Sequence, residues 1–274
     1  MYIYLTKPVI PKEHGAWPVL IIPILAGSLA VTPAPSFDLW AMAALLASAL
    51  FGFLAASTMR VALNPPPKSA RERFIIWAAL YGILAGAPFL YLVTAGQRPA
   101  LAWFIIPAGL LTLAYFWSSS IGAKRTLPFE TAGLFGLAMG GPAAVYLQQG
   151  ALTMDAALMY PLCLIWFMDR MITARRTLEL MRKGITASSA LERASLFSAE
   201  LLTHAAALAL VAMAIIISGK PGGWALIIPF LAATARNAFD TLSVAAPTDP
   251  MKVGFSEMRL GIAFCILLII MWRV

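Results

Sequence analysis

Two pairs of residues share the spacing of a single helical face. Glu200 and His204 lie four apart, as do Arg236 and Asp240, so each pair sits on one side of its helix. A histidine beside a carboxylate suits proton transfer, and arginine suits bidentate hold on a phosphate, diphosphate or carboxylate. Asp169 closes an apolar run and is followed by Arg170, Arg175 and Arg176. An unpaired carboxylate is costly there, which points to a partner such as Arg60, Arg236 or a metal ion. At the other end of the chain, Lys12-Glu13-His14-Gly15-Ala16-Trp17-Pro18 puts a titratable histidine where an apolar run begins. Arg60 with Asn64, Lys124 with Arg125, and Glu257 with Arg259 complete the polar set.

From these residues, His14, Asp169, Glu200 and His204 are the candidates for proton transfer. Arg60, Asn64, Lys124, Arg170, Arg175, Arg176, Arg236 and Asp240 are the candidates for holding a ligand. Each also has a plainer role. Trp17 and Pro18 fit an interfacial anchor and a first helical turn, and Arg60 fits a side chain snorkelling to headgroups. Glu200 and His204 facing Arg236 and Asp240 fit a buried structural ion pair. Gathered round one mouth, these side chains predict a basic cavity for an anionic amphiphile, an isoprenoid or another lipid-like molecule, with its tail among Phe, Trp, Leu and Met.

The elements that must position these groups follow from composition. Of 274 residues, 61% are hydrophobic and 12% charged, and the mean hydropathy of +0.84 excludes a soluble globular domain. Apolar stretches long enough to cross roughly 30 Å of hydrocarbon fall near 17–33, 38–62, 73–94, 99–118, 128–147, 153–170, 195–217, 222–245 and 254–272. The reading is an all-α membrane protein with nine transmembrane helices in one domain, 1–274, the first helix retained. Cytoplasmic loops are expected near 63–73, 119–127, 171–194 and 246–253. Cys163 and Cys265 lie in apolar spans at no disulfide or metal spacing.

Charge sets the orientation. Of 20 Lys and Arg, only Arg98, Lys220 and Arg273 fall with the short Gly/Pro turns, and ten of the 12 acidic residues join the basic side. The positive-inside rule then puts the N-terminus in the cytoplasm and the C-terminus outside, in a bacterial inner membrane. The net charge of +8 is thereby explained without nucleic acid. The basic run 170–193 is also compatible with docking a protein partner, and transport remains an alternative to a binding or enzymatic role.

Pro11-Lys12-Glu13-His14-Gly15-Ala16-Trp17, the following apolar span with Pro23, and Lys252-Val253-Gly254-Phe255-Ser256-Glu257 opening the last helix resemble the YwiC-like family of bacterial membrane proteins. More distantly, nine helices with polar loops 2–3 and 6–7 on the cytoplasmic side resemble the UbiA-type prenyltransferases. That resemblance implies a UbiA-like bundle whose two aspartate-rich motifs hold Mg²⁺ and a prenyl diphosphate. This chain departs from it: the first site offers Arg60 and Asn64 with no carboxylate before Glu72, and the second keeps Asp169 but has Thr173 four residues on. Mg²⁺ would lack its usual carboxylate ligands.

Overall fold

The computed structural model of the chain describes residues 8–10, 16–31, 36–63, 68–120, 127–183, 190–243 and 249–274. These hold ten α-helices and no β-strand among the described residues: α1 Ala16–Val31, α2 Leu39–Leu63, α3 Lys68–Val93, α4 Ala102–Ser120, α5 Leu127–Ala138, α6 Gly140–Gln149, α7 Met154–Arg182, α8 Ala190–Ser218, α9 Ile228–Ser243 and α10 Pro250–Trp272. Five of them, α2, α3, α7, α8 and α10, are long and apolar enough to cross a membrane. The apolar run expected near 128–147 is divided at Met139 into α5 and α6. Gly140 and Gly141 cost helix stability, and Pro142 lacks the N–H that would bond back one turn.

Local chemistry fixes the helix ends. Asp38 Oδ1 accepts from Ala41 N at 2.9 Å at the start of α2. The Thr153 hydroxyl caps α7, where Asp155 in the first turn suits the helix dipole. Asp249 caps α10 with Pro250 at its first position, and Gly150, at φ 73°, closes α6 in the left-handed region that glycine adopts without strain.

The basic stretch after Asp169 differs from expectation. Residues 171–182, expected as part of a polar loop, continue α7, which runs 29 residues to Arg182. No glycine or proline occurs between Asp169 and Gly184, and Leu178, Glu179, Leu180 and Met181 all favour helix. Lys183 Nζ adds a 2.7 Å contact to Glu179 one turn back. At 1.5 Å per residue, α7 is about 43 Å long.

Helices α1, α6 and α7 form the centre. Helix α1 packs against α2, α5, α6, α7 and α10; α7 packs against α5, α6, α8 and α10; α9 lies against α8 and α10; and α2 lies against α1, α3, α4 and α6. The α1–α6 contact is backbone on backbone, since a Cβ added at Gly27 would collide with the Gly141 carbonyl oxygen. Small residues allow such approach where no water is available to drive helices together. Outward faces of α3, α4, α8 and α10 are apolar, with Ile83, Trp103, Leu110, Leu202, Ile217 and Ile266 exposed. Trp40, Trp103 and Trp224 stand exposed at one end of the bundle, the placement of an aromatic membrane belt.

Candidate functional site: a buried acid–base ring on the last four helices

Each of the last four helices carries a buried stripe, and each stripe contains polar residues. On α7, Trp166, Asp169, Arg170 and Thr173 share a face; on α8, Glu200, His204, Ala207, Val211 and Ile215; on α9, Phe230, Ala233 and Asn237; on α10, Val253, Gly261 and Phe264 together with the half-buried Glu257. Asp169 lies fifteen residues in from Met154, His204 fourteen from Ser218, and Glu257 fifteen from Trp272. All three therefore sit about 21–23 Å below the same end of the bundle.

At that level the side chains close a ring. His204 Nδ1 meets Asp169 Oδ1 at 2.7 Å, and Asn237 Nδ2 meets His204 Nε2 at 2.8 Å. Arg170 Nη1 donates to Asn237 Oδ1 at 3.0 Å, while its Nη2 donates to Thr173 Oγ1 at 2.9 Å and lies 3.5 Å from Asp169 Oδ2. His204 is 1% exposed, and Asp169 and Arg170 are 5% exposed. Such groups are retained in apolar surroundings only when paired, and here each has a partner from another helix or the adjacent turn. Glu257 approaches from α10, its Oε2 3.9 Å from Arg170 Nε, and neither atom makes a hydrogen bond.

The two sides of the ring differ. Toward the end bearing Trp40 and Trp224, Trp166 stacks on Phe264 with centroids 4.2 Å apart, and Phe230 meets both rings edge-on. That stack is continuous with apolar residues of α7 up to Ala156. Toward the opposite end, Arg176 Nε lies 3.7 Å from Glu200 Oε1, a half-buried pair that extends the polar column toward the exposed end of α7.

Among the sequence candidates, Asp169, Arg170 and His204 meet directly, and Arg176 and Glu200 form the adjoining pair. Arg175 turns to α5, with Nη1 3.0 Å from Glu130 Oε2. Arg236 is exposed on α9, and its neighbour Asn237 takes the place facing His204. At 100° per residue, only Asn237 extends the buried stripe of Phe230 and Ala233. Arg60 belongs to α2, in the group formed with α1, α3, α4 and α6. His14, Asn64 and Lys124 lie outside the described residues, as does the side chain of Asp240.

Asn237 and Thr173 were not among the sequence candidates, and Glu257 was noted with Arg259 but given no role. Their common signal is helical spacing from a buried aromatic: Asn237 seven after Phe230, Thr173 seven after Trp166, Glu257 seven before Phe264. Among the described residues, no three His, Cys, Asp or Glu side chains converge as metal ligands.

Several membrane-length apolar helices with apolar outer faces, and no strand among the described residues, define a multi-pass membrane protein. The YwiC-like protein family model matches residues 10–146, half of its length, and the chain belongs to that family. The YwiC protein of Bacillus subtilis (strain 168) is 30% identical over 150 residues, which cover 53% of this chain and 57% of the relative. The chain thus spans little more than half the length of the curated relative it matches. No solved structure matches. The family match ends within α6, so the ring of Asp169, Arg170, His204 and Asn237 lies on helices beyond it.

Proposed function

We propose that this is a nine-pass inner-membrane protein, N-terminus in and C-terminus out, with a membrane-embedded acid–base site serving an anionic amphiphile from the cytoplasmic leaflet. The observation that carries the reading is the one-sided setting of the Asp169–His204 contact. The Trp166–Phe264 stack seals it toward one end, and the Arg176–Glu200 pair continues it toward the other. Ionisable residues are costly in hydrocarbon, and within membrane spans they mark ligand or proton routes.

In this arrangement α5 and α6 together make one crossing, and α1, α4 and α9 cross with the help of their neighbours. The basic column meets the positive-inside side. A headgroup carrying phosphate or carboxylate would meet Arg176 first, with the Asp169–His204 pair as the acid–base groups deeper along the same column. The UbiA-type metal mechanism does not enter. Asp169 has one oxygen on His204 and the other near Arg170, so it offers no free carboxylate to Mg²⁺. A transporter would want a polar route on both sides of the centre, and the aromatic stack occupies one of them.

The test is native mass spectrometry of the full chain purified in mild detergent. Wild type is expected to retain an anionic amphiphile that Arg176→Gln loses while staying monodisperse. Absence of any bound amphiphile from wild type, or equal retention by the variant, removes the reading.

A further inference from the structure

The donors and acceptors around His204 allow one assignment. Guanidinium N–H groups only donate, so the Asn237 atom 3.0 Å from Arg170 Nη1 is its carbonyl oxygen, and the amide nitrogen faces His204 Nε2 at 2.8 Å. An amide nitrogen also only donates, so Nε2 accepts and carries no proton. The ring proton therefore sits on Nδ1 and is donated to Asp169 Oδ1 at 2.7 Å.

We infer that Asn237 is a positioning residue that holds His204 as the neutral imidazole protonated on Nδ1, and that a second proton, on Nε2, moves Arg170 from Asn237 on α9 to Glu257 on α10. A proton on Nε2 would face the Asn237 amide donor. Turning the amide over supplies an oxygen to Nε2 but sets its NH₂ against Arg170 Nη1, again donor on donor. Either way one link of the ring opens, and it opens at α9.

The charged groups around the imidazole decide where Arg170 goes. From α7 come Asp169, in contact with the ring, and Arg170 itself; from α10 comes Glu257, 3.9 Å from Arg170 Nε. On α8, Glu200 is engaged by Arg176 at 3.7 Å. From α9 the ring meets the neutral Asn237, while Arg236 is exposed on a different side and the Asp240 side chain lies outside the described residues. An imidazolium adds positive charge beside the guanidinium, and Glu257 Oε2 is the acceptor without a hydrogen bond. The Arg170 Nε–H, likewise without one, already faces it.

This inference rests on the acid–base reading of the centre, and its test needs no amphiphile, so failure here is distinct from failure to retain a lipid. The full chain carrying His14→Gln, labelled with ¹⁵N-histidine, reports a single ring. Near neutral pH the ring nitrogens are expected to show a protonated Nδ1 and a bare Nε2. Asn237→Asp, whose carboxylate accepts from Nε2, is expected to show both nitrogens protonated at the same pH. Glu257→Gln, which removes the negative charge of the waiting acceptor, should reach that doubly protonated form only at a lower pH than wild type. A wild-type ring protonated on Nε2 overturns the inference, as does an Asn237→Asp ring indistinguishable from wild type. An unchanged proton requirement in Glu257→Gln overturns the transfer of Arg170. Should Asn237→Asp not fold, the wild-type tautomer and the Glu257→Gln comparison still decide.

Discussion

Asp169 Oδ1 and His204 Nδ1 stand 2.7 Å apart between α7 and α8, with 5% and 1% of the two residues exposed. The contact belongs to a ring that Arg170 closes, so the stability of the last four helices depends on charges that cannot be removed singly. Arg170→Ala strands the Asp169 carboxylate and the Asn237 oxygen and is expected to cost about 3–5 kcal/mol. Arg175→Ala removes a half-exposed pair with Glu130 and is expected to cost no more than about 1 kcal/mol. Unfolding of the two variants in the same detergent checks the ordering, and equal losses would contradict a closed ring.

Helices α1 and α6 meet through Gly27 and Gly141 with no room for a side chain. Gly27→Leu should therefore overpack the contact and destabilise the protein by at least about 1–3 kcal/mol. Gly82→Leu on α3, where an added Cβ meets nothing within 4 Å, should be close to neutral. Thermal unfolding followed by the intrinsic tryptophan signal separates them.

Cys163 and Cys265 are free thiols buried in the core around Trp166 and Phe264. A membrane-permeant maleimide should modify neither in the native protein and both after denaturation in SDS. Labelling of Cys163 in the native state would show that the aromatic seal is open.

Their silence provides the background for testing orientation. Leu152→Cys lies in the exposed turn between α6 and α7, and Lys183→Cys at the far exposed end of α7. In intact cells an impermeant thiol reagent should label the first and not the second. The reverse pattern would invert the proposed topology.

Much of the helix order could be read from hydropathy, because apolar runs separated by Gly/Pro turns report the bilayer directly. Neighbour relations were not legible. Arg60 and Arg170 look alike in sequence, each at the basic end of an apolar run, yet they lie in different helix groups. Charge density also misled at 171–182, where a run that lipid cannot hold is still good helix. Asn237 was hidden for a third reason: it is uncharged, and its importance comes from continuing a buried stripe beside the conspicuous Arg236.

At about 43 Å, α7 is longer than the roughly 30 Å of hydrocarbon it would cross. Its exposed tip, with Glu179, Arg182 and Lys183, is joined to Asp169 by an unbroken rod. Any change in the tilt of that tip would therefore be felt at the buried ring, with the Arg175–Glu130 and Arg176–Glu200 pairs as its restraints.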